Sequence, residues 1–272
     1  MIEKTYRITD KILRVCVDGE KIIPDCFEEF LCTSVENNDV VCMSDCEGEE
    51  LSCYGLRYLS GNGEKINNVF FSEKDRRQML YSCKDDYSEW RLQLDSNCTK
   101  EILAELMMAG FYSYRSLHGA ALLHASAVSY KGRAIVFTAA SGVGKTTQAE
   151  LWQKHRRATI INGDKVFLAE ESGKFVAWGS PWKGSSPYAE NLGVEASAII
   201  VLEQAEENSI RKLSGMETLE KLLPHVFFPN WDPRCEKAVF DLLSTLLERV
   251  DVYLLRCRPD EDAVALTEKT VF

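Results

Sequence analysis

The chain has 272 residues, 45% of them hydrophobic and 27% charged, with a formal net charge of −10. That is enough apolar material for one large domain or two modest ones, and it is the composition of a soluble globular protein. The acidic balance without long runs of like charge argues against a nucleic-acid or anionic-membrane surface, and no apolar stretch approaches the ~20 residues of a membrane span. The first residues, Met1 to Arg7, lack the apolar core of a signal peptide, so the expected location is the cytoplasm.

The front of the chain reads as β-rich. Lys11–Val17 and Trp90–Leu94 alternate or are β-branched, whereas 39–50 and 61–64 carry turn residues and charge. Eight of the ten cysteines fall in the first hundred residues: Cys16, Cys26, Cys32, Cys42, Cys46, Cys53, Cys83 and Cys98. They contain no C-x-x-C and no neighbouring histidine, so reduced thiols are expected rather than a metal centre. A helix follows from about Thr99 to Leu117, with Ile102, Leu103, Leu106, Met107 and Phe111 on one apolar face.

Next comes a hairpin pattern, Ala120–Tyr130 and Arg133–Thr138 around the tight turn Lys131-Gly132. If Tyr130 pairs with Arg133, the register brings His124 opposite Ala139, at the mouth of the segment that follows. That segment, Ala139 to Thr147, reads A-A-S-G-V-G-K-T-T and matches a phosphate-binding (Walker A) loop. Gly142 and Gly144 let backbone N–H groups turn toward an anion, with Ser141, Val143 and Thr147 completing the cradle. Lys145 reaches the β- and γ-phosphates, and the Thr146 hydroxyl is placed to ligate Mg²⁺. The first glycine of the motif is here Ala139, which is expected to strain or reshape the turn.

Beyond the helix that the loop opens, Ala158–Asn162 reads as a strand ending at Gly163-Asp164, and Val166–Glu170 with Phe175–Trp178 as a second hairpin. Gly179–Pro187 is a glycine-, serine- and proline-rich loop. It reads either as a lid, with Lys183 on phosphate and Trp182 over base or substrate, or as a rigid connector. Ser197–Leu202 is a buried strand. Ser214 with Glu217 reads as a capping box, Asp232-Pro233 as a helix start, Val252–Leu255 as a last strand and Asp260 as the cap of a terminal helix.

Phosphoryl transfer needs a carboxylate near the metal and an aligner for the acceptor hydroxyl. Asp164 is the candidate, because it lies just past the end of the strand that follows the loop helix. His124, beside the loop, is the candidate for proton movement or a bond to phosphate. His118 is a weaker candidate of the same kind, and Arg211 is either a phosphate clamp or a solvated surface cation.

The residues Leu123-His124-Ala-Ser-Ala, Ser141-Gly-Val-Gly-Lys-Thr146 and Asn162-Gly-Asp164-Lys-Val166 resemble the HPr kinase/phosphorylase family, itself related to phosphoenolpyruvate carboxykinase. The likeness covers about Leu123 to Leu202. In that family a histidine precedes the loop lysine by the interval that separates His124 from Lys145, which implies a role for His124 near the transferred phosphate. The resemblance also implies that Asp164 matches the second of two adjacent aspartates, the general base for a serine hydroxyl. The first of that pair is Gly163 here, and no acidic residue matches the family's downstream metal-binding glutamate. The motifs at His124 and at Gly179 to Gly184 look closer to a divergent HPr-kinase-like group of bacterial proteins.

The expected fold is therefore α/β: a P-loop domain of the HPr-kinase and phosphoenolpyruvate-carboxykinase type with a mixed sheet over 98–272, preceded by a smaller β-rich domain over 1–97. The expected activity is an ATP- and Mg²⁺-dependent kinase, a phosphotransferase acting on a hydroxyl of a peptide, protein or small molecule. Asp164, His124 and Lys145 would be catalytic, residues 141–147 would bind nucleotide, and Thr146 with Asp164 would hold the metal. The alternative is a catalytically degenerate nucleotide sensor that contacts a protein partner. Phosphate or pyrophosphate as co-substrate, and assembly into a homo-oligomer, stay open.

Overall fold

The computed structural model describes residues 2–17, 23–33, 40–45, 58–59, 65–66, 69–71, 78–93 and 99–272. Of the cysteines, Cys46, Cys53 and Cys98 lie outside these, as do residues 61–64. The chain divides into two compact units, Met1–His118 with Pro229–Val239 and Gly119–Phe228 with Phe240–Phe272. The helix expected to open the second domain falls in the first unit. Among the described residues no helix is long and apolar enough to cross a membrane.

The first unit is built on strands β1 (Ile2–Ile8), β2 (Lys11–Val17), β3 (Val40–Asp45), β4 (Tyr58–Leu59), β5 (Lys65–Ile66), β6 (Val69–Phe71), β7 (Gln78–Cys83) and β8 (Glu89–Gln93), followed by helix α1 (Lys100–Leu117). One mixed sheet runs β1-β2-β3-β8-β7-β6, and β4 pairs with β5 apart from it. Val40–Asp45 lies inside a stretch read from sequence as turn, yet it forms β3, parallel to both β2 and β8. Its run of valine, cysteine and methionine is β-compatible, and charge in the flanking residues masks that signal. Trp90 is buried in this unit, and its indole N–H donates to the Tyr87 carbonyl at 2.7 Å.

The second unit contains β9 (Ala120–Tyr130), β10 (Arg133–Thr138), α2 (Lys145–Arg156), β11 (Thr159–Asn162), β12 (Lys165–Glu171), β13 (Lys174–Trp178), β14 (Gly193–Gln204), β15 (Ser209–Lys212), α3 (Gly215–Leu222) and β16 (Val226–Phe227). After α4 (Pro233–Arg249), which begins in the first unit, come β17 (Asp251–Cys257) and α5 (Glu261–Val271). The strand order is β10-β9-β12-β13-β14-β17-β15, with β11 and β16 also on β9. Its two longest strands change partners midway. Residues 120–124 of β9 pair with β12, and 125–130 pair with β10. Likewise 193–195 of β14 pair with β13, and from Ala196 onward β14 runs parallel to β10. Both tight hairpins follow the expected chemistry, since Lys131-Gly132 and Ser172-Gly173 have the paired positive φ angles of a type I′ turn.

Around β10, buried along its whole length after Arg133, a core forms from Ile135, Phe137, Ala149, Trp152, Ile200 and Leu255, among others. Ala139 belongs to that core. Its φ is not positive, so an alanine in place of the motif's first glycine introduces no strain, and its Cβ is packed instead. A second departure is at Ser214. It caps α3 by position, but its side chain makes no capping bond, and Glu217 pairs instead with Arg211 at 2.8 Å. Asp260 caps α5 as expected, accepting from the Ala263 N–H at 3.0 Å.

The Glu268 carboxylate of α5 accepts from Tyr130 Oη at 2.7 Å and from Arg156 and Lys131, joining α5 to α2 and the β9 hairpin. Chiefly through the tyrosine and then the arginine, its pKa is pulled down to about 2. A depressed carboxylate stabilises the fold fully above its unfolded value of about 4.3 and loses that contribution as pH falls toward about 2. Glu268→Gln is expected to lower the melting temperature at pH 7 and to shrink the difference in melting temperature between pH 5 and pH 2.5 relative to wild type, as read by circular dichroism.

Candidate functional site

The hairpin register carries His124 to the end of β10. Thr138 pairs with Ala125, and the Thr138 hydroxyl donates to the His124 carbonyl at 2.9 Å. Immediately beyond, Gly142 and Gly144 take φ of +79° and +119°, conformations that L side chains rarely adopt, and the chain then enters α2. The first N–H groups of α2 lack intrahelical partners, so this end of the helix presents donors and the positive end of its dipole. Ser126 Oγ donates to the Lys145 carbonyl at 2.7 Å and so pins the helix start to β9.

Ser141, Gly142, Gly144, Lys145, Thr146, Thr147, His124 and Asp164 line one cavity of about 380 Å³. Val143 faces other cavities on the opposite flank of the loop. The Lys145 ammonium rests on the Ala139 carbonyl at 3.1 Å. Burial lowers its pKa, and the nearby Asp164 charge partly opposes that. Thr146 Oγ1 donates to the Gly163 carbonyl at 3.2 Å, which leaves its lone pairs free.

Asp164 sits on a corner that its neighbours hold closed. Asn162, fully buried, accepts from the Asp164 and Lys165 N–H groups at 2.8 Å each and donates to the Ser180 carbonyl at 2.7 Å. This is an Asx-type turn, and it aims the Asp164 carboxylate into the cavity. Its Oδ1 is 3.1 Å from His124 Nε2 and its Oδ2 2.6 Å from Lys165 Nζ. Burial is the largest single influence on its pKa and acts upward. The hydrogen bonds from His124 and Lys165 together outweigh it and hold the carboxyl well below the usual carboxylate range.

A magnesium ion is compatible with these donors, as it typically takes one or two carboxylates and fills its remaining positions with phosphate oxygens and water. Thr146 Oγ1 and the unshared lone pairs of Asp164 are the oxygens on offer. Among the described residues no group of three or more His, Cys, Asp or Glu side chains is placed to hold a metal by itself.

Several other candidates lie elsewhere. Trp182 is buried with its ring edge-on to Phe167, and Lys183 ties its own loop by donating to the Pro187 carbonyl at 3.2 Å. The loop still contributes, but through Ser185, Ser186 and Pro187, which line the cavity. His118 is in the first unit, stacked on Tyr114, and Arg211 pairs with Glu217. One residue escaped the sequence altogether. The β16 to β9 register pairs Val226 with Leu123 and so sets His225 opposite His124. Its pKa is pushed down first by burial, then by the charges of Lys145 and His124.

Gly163, where the resembling family carries an aspartate, has a packing reason. A Cβ there would overlap Oγ and Cβ of Ser186. Gly163→Asp is therefore expected to destabilise the protein by about 1–3 kcal/mol, and Gly163→Asp with Ser186→Gly to recover part of the loss, as read from urea unfolding midpoints.

No protein-family model matches the sequence, and no curated protein matches it. Among solved structures the chain has a distant likeness to the HPr(Ser) kinase/phosphatase from Coxiella burnetii, at 11% identity and a TM-score of 0.35, covering 55% of this chain and 95% of that one.

Proposed function

We propose that the second unit binds ATP with Mg²⁺ on the loop Ser141–Thr147 and transfers the γ-phosphoryl group to a hydroxyl of a peptide, a protein or a small molecule. The observation that carries this reading is the convergence in one cavity of the glycine loop, Lys145, Thr146, His124 and the ionised Asp164. In this reading the loop N–H groups and the α2 N-terminus cradle the phosphates, and Lys145 moves from the Ala139 carbonyl onto a β- or γ-phosphate oxygen. Thr146 and Asp164 would hold the metal, which would supply neutralising charge to the phosphate oxygens.

The acceptor oxygen forms a bond to the γ-phosphorus as the bond to the bridging β-γ oxygen breaks, and ADP leaves. Asp164 accepts the hydrogen bond of the incoming hydroxyl and orients it. With its depressed pKa it takes the proton only late, once the oxygen has become acidic by bonding to phosphorus, in keeping with a loose transition state that asks little of a base. His124, whose Nε2–H donates to the same carboxylate at 3.1 Å, holds it ionised and oriented.

A second reading is favoured by one observation: both Asp164 oxygens are already engaged, and among the described residues no other carboxylate lines the cavity. On that reading the unit senses nucleotide and reports to a protein partner. Radiolabelled ATP with Mg²⁺, offered peptides, free serine and sugars, separates the two. Transfer supports the kinase, whereas tight binding with neither transfer nor hydrolysis supports the sensor.

Lys145→Ala is expected to weaken ATP binding by about 2–3 kcal/mol, measured by isothermal titration calorimetry. Asp164→Asn is expected to retain ATP binding and lose transfer; normal turnover in that variant removes Asp164 from the mechanism.

A further inference from the structure

Residues 183–186 form a tight turn, in which the Ser186 N–H donates to the Lys183 carbonyl at 3.0 Å and Lys183 Nζ donates to the Pro187 carbonyl at 3.2 Å. Gly184 and Ser185 are therefore its two central residues. Gly184 has a φ of +58°, and a Cβ there would lie 2.7 Å from Asp164 Oδ2. With that carboxylate held by His124 and Lys165, a glycine is what lets the turn come so close. Ser185 stands one Cα step, about 3.8 Å, beyond this contact. It is exposed, and it lines the cavity of the glycine loop together with Asp164, Lys145 and Thr146.

The other hydroxyl groups of the cavity have different places. Thr146 donates to the Gly163 carbonyl, and Ser141 and Thr147 belong to the loop that would wrap the phosphates. Ser186 Oγ occupies the space a Cβ of Gly163 would need and accepts from the Tyr188 N–H at 3.2 Å. Ser185 reaches the cavity from the Asp164 wall, where the kinase reading puts the incoming hydroxyl. A hydroxyl tethered beside the reacting group meets it at an effective molarity far above that of a free acceptor.

We propose that Ser185 is a phosphorylation site of the protein itself, an acceptor in cis for the γ-phosphoryl group of a triphosphate bound on residues 141–147. Ser185 Oγ forms a bond to the γ-phosphorus as the bond to the bridging β-γ oxygen breaks. ADP leaves with that electron pair, and the hydroxyl proton passes to Asp164. Lys165, whose Nζ is 2.6 Å from Asp164 Oδ2, is the cation at hand to pair with the phosphoserine.

The proposal rests on the kinase reading of the same site, and its test separates the two. The full chain, first treated with a phosphatase, is incubated with radiolabelled ATP and Mg²⁺ without added acceptor, and the labelled residue is identified by peptide mass spectrometry. Label is expected on Ser185, with a rate constant unchanged as the chain is diluted, as an intramolecular transfer requires. Ser185→Ala is expected to lose the label with its melting temperature unchanged. ADP formation, or transfer to an added peptide, serine or sugar, without label on Ser185 overturns the proposal and leaves the kinase reading standing. So does label only on another residue, or a rate constant that rises with chain concentration. ATP bound with neither transfer nor hydrolysis, or no ATP bound, overturns both.

Discussion

The site in the second unit depends on the change of partners that β9 makes between His124 and Ala125. Up to His124 the strand is bonded to β12, and from Ala125 onward to β10, with β16 and β11 pairing along it as well. One strand therefore fixes four others, and the crossover is where their ends meet. β10 delivers the glycine loop, the corner between β11 and β12 delivers Asp164, and β16 delivers His225. Because side chains alternate along a strand, His124 and Ser126 share a face. The first reaches Asp164 and the second holds the carbonyl of Lys145. A slip of one residue would turn both to the other face, and the fully buried Ala125 and Ala127 that occupy it make that slip costly.

Of this, the hairpin of β9 with β10 was legible in the sequence because it is local. The turn Lys131-Gly132 sets the register of the hairpin, and the register then places His124 by counting alone. The strand, glycine loop and helix succession likewise needs only neighbours in sequence, as do the starts of α4 at Asp232-Pro233 and of α5 at Asp260. What sequence missed involves residues whose partners are distant or whose elements are short. Val226-Phe227 is too short to show a period, so nothing local signals that His225 sits opposite His124. The loop of Trp182 read equally as lid or connector, and only Phe167, fifteen positions earlier, shows where its ring packs. Ser214 and Glu217 have capping-box spacing, yet a stronger charged partner, Arg211, claims the glutamate.

Position 163 shows how the two kinds of information correct each other. Read against a motif, the glycine is a lost carboxylate. Read in the fold, it is a close approach, since Ser186 occupies the space a side chain would need and the backbone N–H of Gly163 donates to the Tyr188 carbonyl at 3.3 Å. Ser186 and its neighbours thereby reach the cavity wall. Ala139 is the converse case, a departure from the motif that the fold absorbs by burying one methyl group in the core.

The electrostatics of the cavity add an argument independent of the motif. Lys145 and Lys165 bring two ammonium groups to one carboxylate, and the N-terminus of α2 adds further positive potential. Burial disfavours the charged form of Lys145, and Asp164, already shared with Lys165 and His124, relieves that only in part. The folded protein thus holds an excess of positive charge in a concave, partly desolvated place, at a cost in stability that a polyanion would remove. A ligand that binds the folded state alone stabilises it in proportion to its affinity. The same residues that cost stability there would therefore favour a bound polyanion.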